Sequence, residues 1–395
     1  MARNVMKIIS PSLSPNTEAD DVLLTVRTIF SPWEWIRGTA TGKVEAWFRQ
    51  YLDTSCAVSF NSGRSALLGL LRSFGIHKGD EVILQAFTCV AVPNSVIWAG
   101  ATPIYADIDE TFNLDPKDFE KKITGKTKAI IVQHTFGIPA NMEAIFSIAR
   151  KYNLIVIEDC AHSLGSVYKG KKIGTFGDCA FFSFGRDKIV SSVFGGMATI
   201  RNGHTKQITA LKAFHKKLTT PSFGWIIRQI LHPLAFAVIL PLYRLGIGKV
   251  ILVVLQRLTL LSFPVYEEEK TGHQPKDFPA KYPNALAILI LHQLKKLDRY
   301  TNERKEIVRF YGREGSWLRF PVQVDDPESL IQRAKKSGIL LGNWYHNTID
   351  PKGVNYASIG YTSGSCPHAE YAAKHIINLP TRIPLSDAKR VKALL

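Results

Sequence analysis

The chain has 395 residues, of which 46% are hydrophobic and 21% charged, a composition that excludes an intrinsically disordered protein and allows a large core plus a smaller domain. Its 50 lysines and arginines outnumber 33 acids, giving a net charge of +17, but there is no nucleic-acid reader motif, zinc-finger spacing or basic helix with interleaved aromatics. We therefore expect no nucleic-acid partner and assign the excess charge to phosphorylated substrates or a membrane surface.

Cysteine usage and the N-terminal residues indicate the compartment. The five cysteines form no CxxC pair, and their odd number does not suggest a disulfide framework, so a reducing cytoplasm fits. No metal site is expected. Residues 1–10 lack a long apolar core before a small-residue cleavage site, so we expect no signal peptide there.

The first predicted elements are a turn-rich entry over residues 11–16 and a helix over residues 19–30. At residues 61–67 a glycine-containing turn opens an apolar helical segment over residues 66–74. Free N–H groups and the positive end of such a helix make an anion site, to which Arg64 and Ser65 could add a guanidinium and a hydroxyl. An ordinary serine N-cap explains the same residues equally well.

Further along the chain, strands alternate with helical segments. Residues 79–83 read as a turn entering a strand, residues 129–133 as a buried strand and residues 142–152 as a helix. The next apolar run delivers Asp159, and a later one delivers Ser183 and then Lys188.

This acid followed by a lysine is the layout that a pyridoxal phosphate enzyme needs. The cofactor is an electron sink only while its ring nitrogen stays protonated, which requires a carboxylate such as Asp159 against that nitrogen. A lysine must reach the aldehyde to form the Schiff base and must then act as a base, and Lys188 is the candidate. Either residue alone is a common solvated feature, so the prediction depends on the wider pattern.

The wider pattern resembles the DegT/DnrJ/StrS family of nucleotide-sugar aminotransferases, and the match is collinear from about residue 38 to residue 201. The motifs that carry it are residues 62–64, 79–83, 136–142, 158–163, 174–178, 183–188 and 195–197, with further matches at 281–311, 366–370 and 378–380. Several motifs in the right order are harder to produce by chance than one. The resemblance implies a type I pyridoxal-phosphate-dependent transferase fold, an α/β architecture with a mostly parallel central sheet flanked by helices, and a homodimer.

The resemblance also implies roles for individual residues. It assigns Lys188 to the Schiff base, Asp159 to the pyridine nitrogen and His162 to the neighbourhood of the phenolate oxygen. The predicted phosphate ligands are Arg64, Ser65 and Ser183, and the other predicted cofactor-binding residues include Ser62, Gly63 and Cys89.

Three positions depart from the family pattern. Cys89 stands where an aromatic ring commonly stacks on the cofactor, so the grip on the cofactor is weaker or Phe87 compensates. Phe194 replaces a glutamate before the double glycine. Lys281 takes the place of an asparagine that reaches the phosphate from the neighbouring subunit, and we include it among the predicted cofactor ligands.

A lysine at position 188 favours transamination, because members of the family that dehydrate sugars have histidine there. The implied enzyme takes an amino group from glutamate and passes it to a keto sugar, linked to a nucleotide, for a cell-surface polysaccharide. The alternative is a non-catalytic or regulatory protein that keeps the fold and uses an insertion as a membrane or partner module. Lys188 and Asp159 argue against that alternative, whereas Cys89 and Phe194 leave room for it.

A basic and apolar insertion is the second unusual feature. Between Arg201 and Ser262 there are nine lysines or arginines and no acid, and residues 225–240 and 249–261 read as two apolar helices. The longest uncharged run, residues 229–243, has 15 residues and two prolines, too few for an ordinary membrane span of about 20. The hairpin could contact an anionic membrane through residues 225–261, lie in an enlarged dimer interface, or bind a nucleotide-sugar diphosphate.

We divide the chain into four parts. They are an N-terminal arm (1–37), a cofactor-binding large domain (38–205), the helical insertion (206–275) and a smaller α+β C-terminal domain (276–395). We expect a cytoplasmic protein, with association at the inner face of the membrane if the insertion binds lipid.

Overall fold

A seven-stranded sheet forms the centre of the large domain in the computed structural model, which describes residues 8–14, 16–243 and 245–395. The strand order is β1-β10-β9-β6-β5-β2-β4, and β10 alone runs antiparallel to its neighbours. These strands are β1 (Cys56–Phe60), β2 (Glu81–Gln85), β4 (Thr102–Ala106), β5 (Thr127–Gln133), β6 (Ile155–Asp159), β9 (Cys179–Ser183) and β10 (Gly196–Ile200). The mostly parallel sheet confirms the predicted α/β architecture.

Both faces of this sheet are covered. Along β5, Ala129 and Ile131 face one apolar core while Ile130 and Val132 face another, as the two-residue period of a strand requires. Burial on both sides explains why β5 and β6 are near-continuous apolar runs in the sequence.

Fourteen α-helices are found in the described residues. They are α1 (Ala19–Ile29), α2 (Ala40–Leu52), α3 (Gly63–Ser73), α4 (Ala91–Ala99), α5 (Pro116–Lys121), α6 (Met142–Lys151), α7 (Thr205–Lys216), α8 (Phe223–Leu242), α9 (Ile247–Arg257), α10 (Asn284–Leu294), α11 (Leu297–Phe310), α12 (Pro327–Lys336), α13 (Pro367–His375) and α14 (Leu385–Lys392). The helices predicted at residues 19–30, 66–74 and 142–152 correspond to α1, α3 and α6.

The smaller domain is built on a two-stranded antiparallel sheet. It pairs β11 (Arg319–Gln323) with β13 (Ile376–Pro380), and its apolar core includes Val308 of α11, Leu330 of α12 and Val391 of α14. A short parallel pair, β3 (Thr88–Cys89) with β12 (Ile349–Asp350), ties this part of the chain to the large domain. The remaining pair is a surface hairpin of β7 (Val167–Tyr168) and β8 (Lys171–Lys172).

The insertion contains the two apolar helices that the sequence predicts. Helix α8 spans 20 residues, longer than the uncharged run, because it begins before Arg228 and contains both Pro233 and Pro241. It is long and apolar enough to cross a membrane by length and composition. It also packs against α1, α9 and α10.

Candidate active site

A cavity of about 420 Å³ lies where β6 and β9 end. These strands are parallel neighbours, with Asp159 opposite Phe181, so the residues that follow them meet at one edge of the sheet. Eight of the predicted site residues, drawn from separate segments of the chain, line this cavity: Ser62, Gly63, Arg64, Cys89, Asp159, His162, Ser183 and Lys188. The sequence prediction therefore brought together residues that the fold also brings together.

Lys188 sits in the loop after β9 and presents a free amine to the cavity. Its backbone N–H donates to the Gly185 carbonyl at 3.1 Å, and its own carbonyl accepts from Asn16 Nδ2 at 2.5 Å. Among the described residues, Lys188 Nζ makes no hydrogen bond or ion pair, and it lies 4.7 Å from the ring centroid of Trp344. Burial lowers the pKa of this amine, which favours the neutral, nucleophilic form.

Asp159 is a buried carboxylate with spare acceptor capacity. Its Oδ1 accepts the Ala161 N–H at 2.9 Å, the one hydrogen bond to this carboxylate that the described residues provide. Burial raises the pKa of Asp159 to about 6, against the opposing effects of that hydrogen bond and of the Lys188 charge. A buried carboxylate of this kind gains most from a cationic partner such as a protonated pyridine nitrogen.

His162 lies against the aromatic wall of the cavity. Its ring stacks on that of Trp344, with centroids 5.4 Å apart and planes at 16°. Its Nδ1 accepts the Phe136 N–H at 3.2 Å, which leaves the proton on Nε2, 3.3 Å from the Tyr345 hydroxyl. Burial and the charge of Lys188 hold the pKa of His162 well below its usual value, so this residue is a neutral imidazole.

The start of α3 also lines the cavity. Ser62 caps the helix by accepting the Ser65 N–H at 3.2 Å. The neighbouring Gly63 lies against Ser183, so that a Cβ at position 63 would be 3.1 Å from the Ser183 Cβ. Unpaired N–H groups of the first turn suit a phosphate. With Lys188 and Asp159, this donor set fits pyridoxal phosphate.

The remaining predicted phosphate ligands are engaged elsewhere. Arg64 lines the cavity, but its guanidinium forms an ion pair with the buried carboxylate of Glu269 and donates to the Pro264 carbonyl at 2.6 Å. Ser65 is fully buried, and its hydroxyl donates to Asn61 Oδ1 at 2.8 Å. The two contacts of Arg64 could not be predicted from the sequence, because Glu269 and Pro264 lie about 200 residues further along the chain.

Lys281 lies outside the cavity of its own chain. It forms a bridge with Phe60, and its N–H donates to the Thr219 carbonyl at 2.9 Å. The role predicted for it was in a neighbouring subunit, so this placement leaves that prediction open.

An aromatic wall replaces the ring that is missing at Cys89. The thiol of Cys89 faces the cavity, and burial raises its pKa to about 11. Phe87 does not face it, because that ring is buried between Phe112 and Tyr345. The cavity is instead lined by Trp344 and Tyr345, which the sequence reasoning missed.

Two arginines were also missed: Arg319, which is fully buried, and the partly buried Arg186, which lies within the lysine motif. Arg186 lines the cavity and donates to the Ser262 carbonyl at 2.9 Å. Arg319 stands behind the wall, with its guanidinium carbon 3.5 Å from the Trp344 ring centroid and its Nη2 3.2 Å from Asp187 Oδ2. Burial lowers the pKa of each to about 10. The sequence held one sign of Arg319: Asp187, an acid next to Lys188, suggests that a cation lies nearby.

Comparison with known proteins agrees with this geometry. The model of the DegT/DnrJ/EryC1/StrS aminotransferase family matches residues 16–220. GDP-perosamine synthase of Caulobacter vibrioides is 42% identical over 195 residues, covering 49% of this chain and 52% of that protein, so the chain matches about half the length of that relative. Spore coat polysaccharide biosynthesis protein SpsC of Bacillus subtilis is 27% identical over 402 residues, covering 95% of this chain and 93% of SpsC.

Among solved structures, the pyridoxal phosphate form of the putative sugar aminotransferase Spr1654 of Streptococcus pneumoniae gives a TM-score of 0.71. The identity is 22%, and the match covers 95% of this chain and 94% of that one. This similarity shows the fold and confirms the predicted fold class.

Proposed function

Because this chain belongs to the DegT/DnrJ/EryC1/StrS aminotransferase family and is a pyridoxal-phosphate-dependent transaminase, we propose that it moves an amino group from glutamate to a nucleotide-linked keto sugar. The product would serve a cell-surface polysaccharide. The observation that carries the proposal is the meeting of Lys188, Asp159 and the start of α3 in one cavity. The names of two relatives, one making a GDP-linked sugar and one acting in polysaccharide biosynthesis, support the substrate class.

Pyridoxal phosphate, when bound, supplies an electron sink for the charge left when a proton leaves the carbon beside the transferred nitrogen. The N–H groups at the start of α3 would hold the phosphate, and the Asp159 carboxylate would keep a proton on the pyridine nitrogen. Burial lowers the pKa of the Lys188 amine, so Lys188 would more readily form the bond to the cofactor and would then serve as the base that moves protons at the reacting carbons. His162, whose pKa is held well below its usual value, would donate a hydrogen bond from Nε2 without adding charge to the cavity.

The proposed reaction has two halves: the amino group first leaves glutamate and then enters the keto sugar. Lys188 would move protons in both halves, so glutamate and the sugar must occupy the same cavity one after the other. Trp344, Phe194 and Phe263 give that cavity apolar walls that exclude water from the reacting carbon.

We also propose a cytoplasmic homodimer in which Lys281 acts on the partner's phosphate site. In support of this proposal, Lys281 is not among the described residues that line the cavity of its own chain. Light scattering of the purified protein tests the dimer, and a mass near 44.1 kDa, that of one chain, would contradict it.

The deciding experiment is an absorbance spectrum with pyridoxal phosphate, before and after glutamate. Wild type should turn yellow as Lys188 attaches, and glutamate should bleach it. Lys188→Ala should bind the cofactor without that response, whereas Lys121→Ala, an exposed lysine on α5, should behave as wild type. A wild type that stays colourless would contradict the proposal and favour the non-catalytic alternative. If glutamate does bleach the wild type, the bleached protein can be used to screen nucleotide-linked keto sugars.

A further inference from the structure

The outer side of α9 is an apolar surface that no described residue covers. Ile247, Val250, Val254 and Leu258 recur at helical spacing and are 51%, 64%, 45% and 61% exposed. The inner side, including Ile251 and Leu255, packs with α8. A helix at the surface of a soluble protein carries polar residues on its outer side, so α9 is apolar where it should be polar. Exposed patches of this kind mark interaction sites.

Cations accompany this outer side. Lys249 and Arg257 lie on α9 and are both exposed, and Arg257 falls among the exposed apolar residues by its helical position. No acid occurs from residue 202 to residue 266. Long basic side chains can place their stems along apolar surface while their charges reach phosphate groups above it. An apolar face with interspersed cations and no acids complements an anionic lipid surface.

A second copy of this chain is a poorer occupant. In a two-fold contact the same surface meets itself, so the cations Lys249 and Arg257 of both copies would enter one contact and repel one another, and residues 202–266 supply no acid to offset them. Anionic lipid removes the repulsion and covers the apolar side chains together.

The chain leads directly from α9 to the active-site cavity. After α9 the chain passes through the buried Ser262, which accepts from Arg186, to Phe263 and Val265, which line the cavity. Phe263 is itself 51% exposed. A bilayer lying on α9 would therefore be close to the opening through which substrate enters.

We propose that the outer side of α9 docks this protein on the surface of an anionic lipid bilayer, with the helix lying in the interface and not crossing it. Docking depends on α9 alone and not on which sugar is aminated, so it can fail while the proposed function stands. The geometry places the cavity mouth beside the membrane.

Co-sedimentation with vesicles tests this with the full-length holoenzyme. Wild type should sediment with vesicles of phosphatidylcholine and phosphatidylglycerol, and salt should weaken the binding. Val250→Ser/Val254→Ser should bind at least about tenfold more weakly, because two apolar side chains leave the interface. Lys249→Gln and Arg257→Gln should each weaken binding by about fivefold. Val167→Ser/Leu385→Ser, which changes exposed apolar residues elsewhere, should bind as wild type.

Folding of each variant is checked by its yellow absorbance with pyridoxal phosphate, since none of these residues lines the cavity. A wild type that remains in the supernatant with anionic vesicles overturns the proposal. So does an equal loss of binding in the control variant. If Val250→Ser/Val254→Ser instead lowers the mass measured by light scattering without vesicles, the surface joins two copies of the chain and the lipid proposal is wrong.

Discussion

The side-chain amide of Asn16 donates to the backbone carbonyl of Lys188 at 2.5 Å, and the same nitrogen lies 2.9 Å from the Ile189 carbonyl. Asn16 is itself held by Arg304, whose Nη2 donates to Asn16 Oδ1 at 3.0 Å. Asn16 therefore fixes the backbone position of Lys188, the lysine that we propose to be catalytic. Asn16 is a positioning residue, since it acts on the cofactor through Lys188.

Replacing Asn16 with alanine should release the Lys188 loop. Two buried carbonyls would lose their donor, so we expect a loss of about 2 kcal/mol in the free energy of unfolding and a lower yield of the yellow form at limiting cofactor. Urea denaturation and absorbance measure the two effects. Asn302→Ala, at an exposed position of α11, is the matched control and should change neither. An Asn16→Ala variant that is less stable but reaches full yellow absorbance at the same cofactor concentration would contradict the positioning role.

Replacing Asp159 with asparagine should stabilise the apoprotein while impairing the cofactor site. Burial raises the pKa of Asp159 from 3.8 to about 6, so its ionised form costs on the order of 3 kcal/mol of folding free energy above pH 6. Because the folded chain binds this proton more tightly, that cost falls as pH drops through 6 and disappears below 3.8. Asp159→Asn should therefore exceed wild type in apoprotein stability at pH 8 and lose this advantage towards pH 4.

Urea denaturation of both apoproteins at several pH values checks this prediction. Asp325→Asn, at an exposed position, controls for the change in net charge and should show no such pH dependence. With cofactor present the order should reverse, since asparagine cannot balance a protonated pyridine nitrogen. Equal apoprotein stability at pH 8 would mean that the Asp159 carboxylate is not penalised by burial.

Replacing Asp187 with asparagine should expose the cost of burying Arg319. The Arg319 side chain is fully buried and its Nη2 lies 3.2 Å from Asp187 Oδ2, so removing the carboxylate leaves a buried cation without its charge partner. We expect a loss of about 3 kcal/mol, at the low end for a buried pair broken on one side. Adding Arg319→Met should recover part of the loss, because a buried apolar side chain needs no partner.

Thermal or urea denaturation of the single and double variants measures this coupling. Glu120→Gln, which breaks an exposed pair with Lys151, is the control and should leave stability nearly unchanged. A double variant less stable than Asp187→Asn would show that Arg319 contributes by packing on Trp344 and not through its charge pair.

The sequence identified those site residues that stand at the ends of strands. Asp159 ends β6 and Ser183 ends β9, and parallel strands bring such ends together without further information. It could not identify Trp344, Arg319 or Asn16, which reach the site from separate segments with no motif of their own. The phosphate role predicted for Arg64 illustrates the same limit, because its ion-pair partner Glu269 lies near the end of the insertion and no local pattern connects them.

The same reasoning applies to the insertion. Apolar composition predicted two helices, but only the tertiary structure distinguishes α8, packed against α1 and α10, from α9, whose outer side is bare. Composition alone gives these two helices the same appearance.

The contacts of Asn16 also order events during synthesis. Its backbone carbonyl accepts from Gln293 and Tyr300, and its side chain from Arg304, all of which leave the ribosome after Lys188. The anchor of the Lys188 loop is thus completed only when α11 has been made, long after the strands β6 and β9 that flank the site. Nascent chains halted before residue 304 should therefore contain the sheet yet hold cofactor poorly, which makes cofactor capture a late step in the maturation of this enzyme.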